Sequence, residues 1–359
     1  MELRSKFLDL VTKHFSLLVL VGASASFFLT NIILKDYLNA QNYGLYSIFI
    51  TYISLLSSFG LLGLEQVIIR NAKIFSGKII INKSVLIPMI LSVLLVSVLG
   101  SYLFLDNYQI SVTYIFLIFV TFLVILAKLI FNLFRLLSKF ILSQVALNLW
   151  KITLFLIVLI LIFIENNIFL ENIINTIFFS LVATMFMILW LFKKIKFVSN
   201  LKIKRIFSQA ILFFLSLITI SLINFGDRFF IESRFGLEEL GNYFFFINLF
   251  LFPFVLFQSY VGFKELVSFK LSYNHSLLVH KLKKILKYSI FFGISLFLAA
   301  FLIDYLDLYC INLFDNFEMI VMLIILGIVK MVYSLLSSAM GAICNNKMLY
   351  KINLHSTKR

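Results

Sequence analysis

Charge is what this sequence is short of, and acid most of all. Only 13% of its 359 residues are charged, and 16 Asp and Glu stand against 31 Lys and Arg, a formal net charge of +15. A soluble domain of this length carries far more polar surface, so that class is excluded. Only two prolines interrupt the chain, which leaves room for long unbroken helices. The two cysteines, Cys310 and Cys344, lack CxxC spacing and fall near opposite membrane faces, which argues against a disulfide framework or a thiolate metal site. The four histidines, His14, His275, His280 and His355, fall at expected cytoplasmic ends or loops and suggest no metal. With no P-loop and no Gly-rich phosphate cradle, no cofactor is expected.

What fills the chain instead is hydrocarbon: 62% hydrophobic residues and a mean hydropathy of +1.07. The expected fold class is an all-α polytopic membrane protein. Ten spans are expected, near 14–34, 43–64, 84–105, 110–133, 142–164, 172–192, 207–226, 241–263, 286–303 and 319–343. Lys13 and the apolar run after it resemble a signal peptide, but the run continues through Phe27-Phe28-Leu29 to Leu34, so an uncleaved first span is the better reading.

The charges sort by side. The two termini and every second connection hold 25 Lys and Arg but only Glu2, Asp9, Glu65 and Glu265 as acids. The alternate connections hold Lys35, Arg228 and Arg234 against the other twelve acids. Over short loops this split places both termini in the cytoplasm. Most of the +15 is therefore a topology signal, with basic loops near anionic headgroups, and no nucleic-acid partner is expected.

Three lysines remain inside spans, where each costs about 2.5–3.5 kcal/mol on insertion scales. Lys330 sits midway along span ten, on a face with Gly327, Ser334, Ser337 or Ser338, and Gly341, which reads as a cavity wall. Lys151 shares a face with Gln144 and Asn148. Lys128 is close enough to the end of span four for snorkelling to explain it. In span two, Ser47, Thr51, Ser54 and Ser58 stack their hydroxyls on one side. That row reads either as helix packing or as the wall of a wet cavity. Arg70, Asp227 and Arg228 stand at span ends, and Asn224 and Ser221 share the face of Arg228. Pro253 is expected to kink span eight.

A faint repeat links Gly44-Leu45-Tyr46 to Gly241-Asn242-Tyr243, six spans apart, as expected for parallel copies about an axis along the membrane normal. Adding Gly63-Leu64-Glu65 with Arg70, and Asp227-Arg228 before Leu240-Gly241-Asn242-Tyr243, the chain resembles the polysaccharide-type branch of the multidrug/oligosaccharidyl-lipid/polysaccharide exporter superfamily. Within it, the chain is most similar to the O-antigen or capsule repeat-unit flippases, often called Wzx-type. The resemblance covers residues from about 10 to the end.

The resemblance implies two pseudo-symmetric six-helix lobes around a central cavity, whereas the ten expected spans supply six helices to the first lobe, 1–200, and only four to the second, 201–359. The family usually has two or more further spans, which implies a shortened relative or a truncated chain. It also implies a bacterial inner-membrane protein that is no enzyme and flips an undecaprenyl-pyrophosphate-linked oligosaccharide. Membrane lipids and the polymerase and chain-length proteins of the same pathway would be its partners. The expected substrate-binding residues are Lys330, Lys151, Arg70, Arg228, Asp227, Lys128, Ser54 and Ser58. Rival readings are a polysaccharide polymerase, against which the short outside loops speak; a drug exporter, against which the lack of an acid within the first-lobe spans speaks; and an inactive remnant.

Overall fold

In a computed structural model, residues 2–108, 110, 112–164, 169–198, 203–271, 273–306 and 315–343 are described. Cys310, Cys344 and His355 lie outside them. The architecture is helical throughout, with one small sheet. In chain order come α1 (Glu2–Tyr37), α2 (Ala40–Phe59), α3 (Leu64–Asn71), β1 (Lys73–Phe75), β2 (Lys78–Asn82), α4 (Leu86–Asn107), α5 (Tyr114–Leu136), α6 (Phe140–Ile164) and α7 (Leu170–Phe192). Then follow β3 (Ile195–Val198), α8 (Ile203–Phe246), a π-helical segment Ile247–Leu251, α9 (Phe252–Leu271), α10 (His275–Tyr305) and α11 (Phe317–Ile343).

Among the described residues, eight helices are long and apolar enough to cross a membrane, or nine with the bent α2–α3 pair taken as one span. One of these, Ile206–Gln258, takes in two of the ten expected spans. The protein is therefore an all-α, multi-pass membrane protein, as its composition requires.

Three local features depart from expectation. Span two does not run straight to residue 64. It breaks between Phe59 and Leu64, and α3 leaves at 43° to α2. Leu62 (φ 48) and Gly63 (φ 79) are left-handed there, a region Gly enters without strain. The backbone also leaves no space: a Cβ on Gly63 would stand 2.3 Å from the Ala210 carbonyl oxygen of α8.

The connection expected after span seven is helical instead. α8 carries on through Asp227 and Arg228 and is interrupted only at Gly236 (φ 86, ψ −179). Just beyond this break, Gly44 of α2 meets the α8 backbone so closely that a Cβ would lie 1.9 Å from Leu237 O. Gly241 in turn lies against Ala40 O and Gly44 N. The two Gly-x-Tyr copies thus form one helix crossing. Tyr46 supports it by donating from its hydroxyl to Asn31 Oδ1 at 2.7 Å, and Lys35 Nζ by donating to Asn242 Oδ1 at 2.6 Å.

Basic connections expected to be loops form a three-stranded sheet. β1 and β2 are an antiparallel hairpin, and β3 adds in parallel to β2. The hairpin turns on Ser76 (φ 48) and Gly77 (φ 69), both left-handed, as a tight hairpin turn that matches strand twist requires.

The chain forms two compact units, Met1–Asn242 and Tyr243–Arg359. The first unit takes in most of α8, which meets α2 at Gly44 and Thr51 and the turn after α2 at Gly63. In the second unit, α11 packs along α9 and against α10. The kink expected at Pro253 takes the form of the π-helical segment just before it. Proline has no N–H to give the helical ladder, and the Phe252 N–H reaches Ile247 O, one residue further back than in an α-helix.

Gly63→Ala is expected to destabilise the protein by about 2–4 kcal/mol, combining a left-handed backbone with a blocked Cβ. Gly77→Ala has the same backbone penalty in open space and should cost about 1 kcal/mol. Thermal midpoints of the purified protein in detergent should rank accordingly, and equal shifts would contradict the packing assigned to Gly63.

Candidate functional site

The hydroxyl row of α2 follows from its spacing. Thr51, Ser54 and Ser58 each donate to the carbonyl four residues back, at 2.8, 2.7 and 2.9 Å. These bonds satisfy the hydroxyl protons and leave the oxygens free to accept. Ser47 and Thr51 are fully buried, and Ser54 and Ser58 are half-buried. Thr51 Oγ1 accepts from Arg228 Nη1 at 2.7 Å, so the α8 arginine turns into the helical interior of the first unit. Phe225 lies beneath its guanidinium at 5.4 Å, and Asp227 Oδ1 accepts from the Arg228 backbone N–H at 3.0 Å.

A second polar cluster joins α3, α5 and α6. Asn148 Nδ2 donates to Gln144 Oε1 at 3.0 Å, and Lys151 Nζ donates to Asn148 Oδ1 at 3.0 Å. The three residues do share one face of α6. The Lys151 ammonium also lies 5.7 Å from the rings of both Phe27 and Trp150, a weak attraction for a cation held away from water. Lys128 of α5 stands close enough to repel it. Lys128 lies over the Phe131 ring at 5.3 Å and is half-buried.

The member of this cluster that sequence reasoning missed is Glu65. Its position in the sequence places it among the loop acids on the basic side, yet it is 4% exposed. Its Oε2 accepts from Asn132 Nδ2 at 3.3 Å, and it is attracted by Lys128 and Arg135. Lys128, Asn132 and Arg135 fall at i, i+4 and i+7 on α5. The bend at Gly63 sets Glu65 in the first turn of α3, where a carboxylate also suits the helix dipole. A glycine pair followed by an acid that starts a new helix was the available signal. The finding also corrects one earlier inference: a buried carboxylate does exist in the first unit, so its supposed absence no longer counts against a drug exporter.

Arg70 does not join these groups. It is exposed in the last turn of α3, where a cation complements the carbonyl end of the helix.

In the second unit Lys330 is 7% exposed, on the α11 face between Gly327 and Ser334. This is a packed face. The Phe254 ring of α9 covers Gly327, where a Cβ would meet its Cδ2 at 2.4 Å, and Ser334 Oγ donates to Gln258 O at 3.1 Å. Ser338 Oγ donates to Ser334 O at 2.8 Å. The Lys330 ammonium is thus withdrawn from the lipid-facing side of its helix.

Chemically, the first-unit cluster sets two cations, Lys128 and Arg135, toward one carboxylate bound by the Asn132 amide, with a third cation, Lys151, on the neighbouring α6 held by Asn148. Such a set favours an anion that can accept several charge-assisted hydrogen bonds.

Glu65→Ala should strip the counter-charge from Lys128 and Arg135 and destabilise the protein by about 3–5 kcal/mol. Lys128→Ala in the same chain should restore part of that loss, with a coupling of about 0.5–3 kcal/mol. Thermal unfolding of the two single variants and the double variant measures it, and strict additivity would mean that the two groups do not interact.

Compared with protein-family models, curated proteins and solved structures, the chain gave no match.

Proposed function

We propose that the protein flips an undecaprenyl-pyrophosphate-linked oligosaccharide, an O-antigen or capsule repeat unit, across a bacterial inner membrane. The observation that carries the reading is that cations set within apolar helices are turned away from lipid. Lys151 is held by Asn148, Arg228 by Thr51, and Lys330 is buried on α11. Each such charge is expensive in a membrane, and a pyrophosphate headgroup gives it a purpose. The cargo carries two or more negative charges and many hydroxyls that hydrocarbon cannot solvate. Lysines, an arginine and a hydroxyl row replace that hydration while the polyprenyl tail stays in lipid.

In this reading the units Met1–Asn242 and Tyr243–Arg359 provide the two lobes of an alternating-access transporter. The basic connections face the cytoplasm, so cargo loads from the side where 25 Lys and Arg lie. The polymerase and chain-length proteins of the same pathway receive the product. No step makes or breaks a covalent bond, so the protein is a transporter and not an enzyme.

One observation favours a second reading. The buried carboxylate of Glu65 beside Lys128 and Arg135 suits a cation-coupled drug exporter of the same superfamily.

Lys330→Arg should support surface polysaccharide in a flippase-null host, whereas Lys330→Ala and Lys330→Gln should lower it at least about tenfold, the loss of one charge-assisted contact. Lys151→Ala should do the same. Equal polysaccharide from all the variants would remove both lysines from the site. Unchanged polysaccharide with altered drug susceptibility would favour the exporter.

A further inference from the structure

The sheet on the basic side of the first unit has two unlike faces. Strand pairing sets Lys73 beside Ile80 and Ile80 beside Lys196; Phe75 stands beside Lys78, and Asn82 beside Val198. Side chains alternate along a strand and align across a ladder. One face is therefore wholly apolar, and its centre, Ile79 and Ile81, is buried, with β2 lying against α3. The edges of that apolar face, Ile74 and Phe197, are exposed, and the other face carries Lys73, Phe75, Lys78, Ile80, Asn82, Lys196 and Val198. Three ammonium groups thus alternate with three apolar side chains, and Phe75 is 71% exposed.

The chain itself fixes where this face lies. β2 ends at Asn82, and the apolar span Lys83–Asn107 begins at the next residue. β3 begins four residues after Leu191, the end of the span Leu170–Leu191. At about 3.3 Å per extended residue, the strands stay within roughly 15 Å of the hydrocarbon edge. The headgroup layer begins there and is about 5–7 Å deep. Val198, paired with Asn82 at the start of the span, lies at that depth, and Phe75, paired with Lys78 five residues before the span, reaches it if the sheet lies flat on the membrane surface, where the lysines meet phosphate. The nearby Lys83, Lys193 and Lys194 add to the positive field.

We propose that the β1–β3 sheet is a membrane-surface anchor specific for anionic phospholipid. Lys73, Lys78 and Lys196 take the lipid phosphates, and Phe75 and Val198 seat at the acyl boundary. The anchor acts on the bulk leaflet and is independent of any cargo the helices carry.

The test uses the full chain in nanodiscs of phosphatidylcholine alone or of an equal mixture with phosphatidylglycerol. A nitroxide is placed at Phe75→Cys in a Cys310→Ser/Cys344→Ser background, and its collisions with oxygen and with a water-soluble nickel chelate are compared. The proposal expects oxygen to be favoured several-fold over the ratio for free label in buffer, and more so with phosphatidylglycerol present. Native mass spectrometry of the lipids retained by the protein provides the second measurement. Lys73→Gln/Lys78→Gln/Lys196→Gln should lower the preference for phosphatidylglycerol by about fivefold per lysine. A water-like ratio at Phe75→Cys in both discs overturns the proposal and leaves the face to an acidic protein partner or a second copy of the chain. An interfacial ratio with an unchanged lipid preference in the triple variant overturns the anionic-lipid assignment.

Discussion

A polar group in hydrocarbon has no water to turn to, so every departure from a plain apolar helix needs a partner supplied by the protein itself. That constraint accounts for most of what is distinctive in this chain. Where α2 breaks at Gly63, the α8 backbone fills the space. Just before Pro253, which has no N–H to give, the helix widens to a π-turn in which the Phe252 N–H bonds Ile247 O. Where Lys151 brings charge into α6, Asn148 Oδ1 accepts a hydrogen bond from its ammonium and two aromatic rings lie near it. These exceptions are local, and buried Ser47 Oγ and Ser97 Oγ show that the matching is not complete.

Much of this pattern was legible because helices impose their period on the sequence. The hydroxyl row from Ser47 to Ser58 and the Gln144–Asn148–Lys151 face follow from spacing alone, and the structure gives a bond to every one of these side chains except the buried Ser47 hydroxyl. The spans were visible for the same reason. Glu65 was not, because its burial depends on a bend that no periodicity encodes. A straight continuation of α2 would have left it at the membrane edge. The sheet escaped notice because its strands are three to five residues long and sit between much longer apolar runs. The left-handed Ser76-Gly77 pair and the β-branched run Ile79-Ile80-Ile81 were its only marks. The face of Lys330 was read as a cavity wall, and packing by Phe254 and Gln258 takes up its neighbours; spacing finds a face but not what lies against it.

The buried charges set the terms for any function. A lone lysine in a span can be discounted as a snorkelling anchor. Lys128 and Arg135 of α5 flank a carboxylate from α3, Lys151 of α6 is held by Asn148, and an arginine from α8 is held on a threonine of α2, so buried polar groups of the first unit are drawn from five helices. Glu65 holds part of that positive charge in check. In the proposed function, an anionic cargo would compete with it for Lys128 and Arg135.

The Gly44–Gly241 crossing bears on how the protein is made. The ribosome delivers α2 long before it delivers residue 241, and helices in a bilayer insert first and associate afterwards. The amino end of α2 therefore waits in the membrane without its closest neighbour while five further spans emerge. Maturation of the first unit is thus tied to the arrival of its last segment, and a nascent chain that stalls before Gly241 would be left as an unsealed bundle for membrane quality control to clear.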